Sequence, residues 1–182
     1  MDTAKADNAS SRDRRQVQME AVVAEHETAL LRYATRFVND ATAAQDVVQN
    51  VFIKLFRSWP PGMKPSKQLT SWLYRVTHNE AIDHIRRESR LHLLHEKQAA
   101  ETPEACADGV NCPPSDEEKK AMVLSLLRRL HPREQQVVLL RLDEGLSYKE
   151  ISEITGRTEG NVGNILHHAV KKLAEGMRGR GQ

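Results

Sequence analysis

Apolar residues return at every third or fourth position along most of this chain, and no alternating stretch persists long enough for a strand. That pattern predicts an all-α protein. Val22 or Val23, His26, Leu30, Tyr33 and Phe37 mark one long amphipathic helix, which Asn39 and Asp40 interrupt. Thr42 with Gln45 reads as a capping box opening a second helix, "TAAQDVVQNVFIKLFRSW". Its buried stripe is Ala44, Val48, Val51, Phe52, Leu55 and Trp59, and Asp46, Gln49, Asn50, Ile53 and Arg57 share the other face. Ile53 is thus an apolar residue within a polar face. It is either an unremarkable exposed side chain or the centre of a protein-binding patch.

The proline-stiffened loop "SWPPGMKPSK" brings Lys64 and Lys67, and a third helix, "QLTSWLYRVTHNEAIDHIRRESRLHLLHE", comes next. Leu69, Trp72, Leu73 and Val76 form one apolar face, whereas Ile82 and Ile85 lie on the other side. A helix apolar on two faces packs on two faces or bends between them. Arg75, Asn79, Arg86 and Arg90 still make one continuous stripe. Basic residues beside Trp72 and Tyr74 suit a single strand, whose unpaired bases stack on aromatic rings. The competing reading makes the aromatics core and the arginines a solvated flank, and Trp72 does fall on the core side.

Near the C-terminus the signals are local and strong. Ser147 with Glu150 is a second capping box, Ile151 and Ile154 face inward, and Gly156 is suited to a left-handed helix end. Thr158 can cap a following helix whose stripe is Val162, Ile165, Leu166, Ala169 and Leu173. At about 100° per residue, Asn164, His167, His168 and Lys171 fall opposite, with Asn161 and Lys172 at the edge. Two short helices and a tight turn match helix-turn-helix spacing. Asn can pair bidentately with adenine and Lys can neutralise phosphate. An ordinary helical hairpin with a solvated face is the plainer alternative.

Charge changes the picture more than composition does. The net charge is only +2, but residues 1–97 carry 15 Lys+Arg against 12 Asp+Glu, and residues 119–182 carry 12 against seven. Between them, residues 98–118 hold six acidic and no basic residues. Two mildly basic blocks therefore flank an acidic segment, the local charge that nucleic-acid binding needs. "TPEACADGVNCPPSDEE" reads as a flexible linker, with bounds at 98–116. The resulting organisation is a disordered tail over 1–16, a helical domain over 17–97, the linker, and a helix-turn-helix domain over 117–182. The linker's 19 residues reach roughly 60 Å at about 3.3 Å each, close to two turns of B-DNA at about 34 Å apiece. No signal-peptide core or membrane span is visible, so a cytoplasmic protein without membrane insertion is expected. Cys106 and Cys112, with His92 and His95, fit no common zinc spacing and read as incidental. No metal, cofactor or catalytic residue is assigned. A helical hydrolase or metal enzyme is disfavoured because no His-Glu-x-x-His, phosphate loop or nucleophile motif appears.

"AQDVVQNVFIKLFRSW", "SWLYRVTHNEAIDHIRR" and "YKEISEITGRTEGNVGNILHHAVKKL" resemble, in order, regions 2.2, 2.3–2.4 and 4.2 of the extracytoplasmic-function sigma factors. The resemblance implies two helical domains that direct bacterial RNA polymerase to promoters and help to melt them, without catalysis of their own. It implies that Asp46, Gln49, Asn50 and Ile53 dock on the clamp helices of the polymerase β′ subunit. Lys64, Lys67, Trp72, Tyr74, Arg75, Asn79, Asp83, Arg86 and Arg87 would handle the melted minus-10 region. Arg157, Thr158, Glu159, Asn161, Asn164, His167, His168 and Lys171 would meet the minus-35 element as duplex, and the same domain would contact the β flap. Sensing would fall to a separate anti-sigma factor.

The chain departs from the family pattern in its last helix. Asn161 stands for a threonine, Gly163 for a basic residue and His168 for an arginine, which weakens phosphate attraction. Gly160 and Gly163 each cost the helix about 1 kcal/mol relative to alanine. One rival function remains open: a stand-alone helix-turn-helix regulator whose N-terminal domain dimerises or senses. Such a protein would bind duplex DNA alone, whereas a sigma factor of this type needs polymerase.

Overall fold

A computed structural model describes residues 3–58, 66–96 and 116–178, with side chains over 15–58, 66–91 and 121–178. Trp59, Lys64, Cys106 and Cys112 lie outside the described residues, as does almost all of the expected linker, and the side chains of His92 and His95 are likewise not described. Among the described residues the chain is all helix: α1 (Thr3–Val38), α2 (Ala41–Ser58), α3 (Lys67–Glu96), α4 (Asp116–Arg128), α5 (Pro132–Val138), a π-helical turn (Leu139–Asp143), α6 (Tyr148–Thr155) and α7 (Glu159–Arg178).

Helices α1, α2 and α3 pack on one another as a bundle. Leu30, Tyr33 and Phe37 from α1 meet Val48, Val51 and Leu55 from α2 and Leu69 and Leu73 from α3, all nearly or fully buried. Each such side chain contributes roughly 1.5–3 kcal/mol by leaving water. The core is partly aromatic. Tyr33 lies edge-on to Tyr74, and Phe37 edge-on to His78 at 4.9 Å between ring centroids. The buried Thr77 hydroxyl donates to the Leu73 carbonyl one turn back, so it leaves no polar group unpaired.

Two helix starts differ from the sequence reading. Asp40, not Thr42, caps α2: its carboxylate accepts from the Ala43 N–H at 2.7 Å, after Asn39 takes a left-handed φ of 60°. A carboxylate at a helix N-terminus also meets the positive end of the dipole, an advantage threonine lacks. Residues 3–16 are helical and extend α1, not the disordered tail their polarity suggests. That stretch has no Gly or Pro and several Ala and Arg, so propensity permits what composition alone did not indicate.

The second bundle is built round α7, which packs on α4, α5 and α6. Its core is aliphatic, with Leu127, Val137, Leu140, Ile151, Ile154 and Val162 buried. Helices α5 and α6 are short, and side chains cap their starts. His131 and Glu134 form a capping box on α5, Ser147 and Glu150 form one on α6, and Gly156 closes α6 at φ 68°. Thr158 Oγ1 accepts from Asn161 N–H at the start of α7. Between α5 and α6 the backbone widens: the Glu144 N–H bonds to the Leu139 carbonyl five residues back, and Gly145 then turns out at φ 68°.

The two bundles are docked. Helix α6 packs on α3, and the π-turn packs on α1.

Candidate nucleic-acid interface

Helices α6 and α7 make the helix-turn-helix. Ile151, Ile154, Val162 and Ala169 fix their crossing from inside, and Gly156, Arg157 and Thr158 form the turn. The outward face of α7 is free: Asn161, Asn164, His167, His168 and Lys171 are all solvent-accessible, as are Thr158 and Glu159. Arg157, half-buried in the turn, reaches Asn161 Oδ1 at 3.4 Å, which helps to hold that amide in place. The rings of His167 and His168 meet edge-to-face at 5.7 Å. Lys171 lies 4.0 Å from Glu175, and Lys172 is drawn inward to Glu134 at 2.7 Å. That Lys172 bond is the main reason the Glu134 carboxyl titrates below its usual range. Chemically the face offers two amides near the helix start and the Lys171 ammonium further along, groups of the kinds that pair with bases and with phosphate.

On α2 the expected outer face is exposed throughout: Asp46, Gln49, Asn50, Ile53 and Arg57 all reach solvent. Ile53, 41% exposed, is not alone. Phe56, absent from the face expected on sequence grounds, is 52% exposed one turn on. With Met19, Val23, Leu31 and Phe52 they line an open groove of about 600 Å³ between α1 and α2. The guanidinium of Arg15 stacks over the Phe56 ring at 4.6 Å. A signal existed, since Phe56 lies three positions beyond Ile53, but its neighbour Leu55 carries the stronger buried stripe.

Helix α3 divides. Asn79, Asp83, Arg86 and Arg87 are exposed along its second half. There Arg86 pairs with Asp83 at 3.5 Å, and Arg87 donates to the Asp83 carbonyl. Together with Arg128 and Arg133 of the second bundle, Arg86 rims a basic groove of about 900 Å³ over Ile82, Ile85 and Leu130. The first half is different. Lys67 is exposed and reaches Glu150 at 3.8 Å. Tyr74 is only 5% exposed, and its hydroxyl donates to Glu144 at 2.8 Å. It is therefore not a free stacking platform; it packs on Tyr33, on the core side of its helix. Trp72 is half-buried against the same core. Arg75 extends to the last turn of α6 and donates to the Ile154 and Glu153 carbonyls, the former at 3.1 Å.

The seam between the bundles holds residues that periodicity had no means of linking. Arg32 grips Glu144 with two bonds, at 3.1 and 2.7 Å, and Arg36 reaches Asp143 at 3.2 Å. The Glu144 bond raises the Arg32 pKa, and burial together with the same carboxylate pushes the Tyr74 phenol up. Behind them, the Tyr33 hydroxyl and His78 Nδ1 are 3.1 Å apart, and burial lowers the His78 pKa to about 4.

Comparison with known proteins places the chain in a family. The family model "Sigma-70 region 2" matches residues 22–91 and "Sigma-70, region 4" matches residues 120–173. The chain is 29% identical over 164 residues to the RNA polymerase sigma-E factor of Streptomyces avermitilis, spanning 90% of this chain and 87% of that one. It is 27% identical over 164 residues to the RNA polymerase sigma factor CarQ of Myxococcus xanthus, spanning 90% and 91%. Among solved structures, CnrH in complex with the cytosolic domain of CnrY superposes with a TM-score of 0.65 at 24% identity over 94% of each chain. The sigma factor RpoE of Bartonella quintana, solved with the anti-sigma factor NepR, gives 0.62 at 18% identity over 87% of this chain and 96% of that one. At these identities the structural likeness speaks to the fold.

Proposed function

The chain belongs to the sigma-70 family as an alternative sigma factor of the extracytoplasmic-function type, and from that premise we propose how its faces divide the work of initiation. The α2 face of Asp46, Gln49, Asn50 and Ile53 docks on the β′ clamp helices of core polymerase, with Phe56 and the neighbouring groove extending the apolar contact. The exposed half of α3, with Asn79, Asp83, Arg86 and Arg87, tracks the melted minus-10 strand, joined by Lys64, Lys67 and Arg75. The α7 face reads the minus-35 duplex, and the bundle that carries it meets the β flap. An anti-sigma factor is the regulatory partner, by likeness to the complexes of CnrH and RpoE. The protein acts by binding, and among the described residues no helix is long and apolar enough to cross a membrane.

One observation carries this reading over a stand-alone regulator. The family model for sigma-70 region 2 spans residues 22–91, the half with which such a regulator would dimerise or sense, and the α2 face within it is exposed with an apolar centre. Run-off transcription from a promoter library, with and without core polymerase, tests the function: transcripts should require both. Ile53→Glu tests the face. A buried interface anchor typically costs more than about 1 kcal/mol when replaced, and a charge in its place costs more still. The variant should lose core binding with helicity and melting temperature nearly unchanged. Normal binding by Ile53→Glu would place the docking surface elsewhere.

A further inference from the structure

Three arginines from the two bundles stand over one cavity. Arg86 of α3, Arg128 at the end of α4 and Arg133 near the start of α5 are exposed, and all three line the groove of about 900 Å³. Its floor is apolar, with Ile82 and Ile85 from one bundle and Leu130 from the other. The cations are poorly neutralised. Asp83 lines the groove and lies 3.5 Å from Arg86, while Glu134, beside Arg133 in sequence, is taken by Lys172 at 2.7 Å. Among the described residues neither Arg128 nor Arg133 has an acidic partner. Like charges gathered on the wall of a cleft focus a field that favours an anion. Small-molecule sites favour clefts between domains, of about 300–1,000 Å³, with largely apolar walls and a few convergent polar groups. The groove between α1 and α2 gathers no such cluster, since Arg57 is the one arginine in its described lining.

We propose that the arginine-rimmed groove binds a nucleoside triphosphate, with its phosphates among the arginines and its base on the isoleucine floor. The chemistry selects this class. A guanidinium fork matches phosphate oxygens bidentately, and a phosphate chain supplies such oxygens in a run. A bare polyanion would leave the floor of Ile82 and Ile85 uncovered, and a purely apolar ligand would leave the arginines unused. A flat ring covers the floor, and the Asn79 amide in the lining offers a donor and an acceptor to its edge. Asp83 repels phosphate, so the sugar lies beside it, where the carboxylate accepts from the hydroxyls. Asn79, Asp83 and Arg86 also belong to the minus-10 face proposed above. Arg128 and Arg133 have no part in that face, so they carry the test.

Isothermal titration calorimetry on the full chain compares ATP and GTP with adenosine and inorganic triphosphate. One equivalent of either nucleotide should bind, about tenfold tighter than the triphosphate or the nucleoside alone. Arg128→Ala and Arg133→Ala should each weaken nucleotide binding about tenfold, with helicity kept by circular dichroism because both side chains are exposed. Arg178→Ala, which removes an exposed arginine at the end of α7, should leave binding nearly unchanged. An equal loss from Arg178→Ala would reduce the attraction to diffuse surface charge and overturn the site. Triphosphate binding as tightly as the nucleotides would overturn the ring on the floor. A labelled oligo(dT), read by fluorescence anisotropy, covers the other source of phosphate. If Arg128→Ala and Arg133→Ala weaken it as much as they weaken ATP, the arginines grip nucleic-acid backbone and the nucleotide site falls. None of these readouts uses core polymerase, so the site and the sigma-factor reading can fail separately.

Discussion

Helices α3 and α7 both carry a polar, basic face, and they hold it in opposite ways. The face of α7 looks outward from its bundle, and its amides and imidazoles stay exposed. The first half of α3 is engaged: Tyr74 is buried, Arg75 is bonded to α6, and the core behind them holds a histidine. A chemically suitable face can be written in a helix's own periodicity. Whether that face is available is decided by elements far away in sequence.

The largest effect expected to sharpen this contrast is one of pH. His78, folded into the aromatic core of α1–α3, has its pKa lowered to about 4 by burial. The unfolded chain then holds more protons than the folded one below the ordinary histidine value of about 6.5. Stability is therefore fully present above about 6.5 and is lost as pH falls toward 4, by on the order of 2–3 kcal/mol. In the second bundle the lowered groups are Glu134, through Lys172, and Glu150, through Ser147. Their contribution is present above the unfolded carboxyl value and is lost only below about pH 4.5. Hydrogen exchange on the full chain, corrected for intrinsic rates, should show α1–α3 loosening between pH 6.5 and 4.5 while α5–α7 hold. Simultaneous loosening of both would erase the distinction.

Next in size is the chemistry of the open face. Asn164→Ala should lose roughly 1–3 kcal/mol of discrimination at one or two minus-35 positions. Lys171→Ala should instead weaken all promoters alike and lower the salt dependence by about one phosphate's worth. Open-complex formation by holoenzyme on a library of minus-35 variants, measured at one fixed pH and a series of salt concentrations, separates the two. A uniform loss from Asn164→Ala would assign that amide to the backbone.

The smallest effect concerns a glycine on α7. A Cβ added at Gly160 meets nothing within 4 Å, so Gly160→Ala should stabilise the helix by about 0.5–1 kcal/mol, read as a raised melting temperature. If promoter binding falls while stability rises, the glycine is there for close approach to DNA. If both rise or hold, it is merely tolerated.

These contrasts also explain what the sequence could convey. Both ends of α6 and the start of α7 are legible because Ser147, Glu150, Gly156 and Thr158 act on backbone groups within a few residues of themselves. The start of α2 was misassigned because Asp40 and Thr42 are both competent caps, and only the left-handed turn at Asn39 decides between them. Tyr74 was misplaced because its basic neighbours suggested a strand-binding stripe, while its true partners, Tyr33 and Glu144, lie on distant elements. Arg32 and Glu144 are 112 residues apart, and no periodicity reports a pair of that kind.

The π-turn at Leu139–Asp143 bears on how such a seam can arise or vanish in a lineage. A π-turn amounts to an α-helix with one residue inserted, and each residue rotates the downstream chain by about 100°. In this chain the extra residue leaves Leu142 66% exposed while Asp143 and Glu144 face α1. Losing one codon there would restore an ordinary helix and swing both acids off their arginines with their chemical identity untouched. Coupling between the two halves of the molecule can thus be gained or shed by an indel that a comparison of residue types alone would overlook.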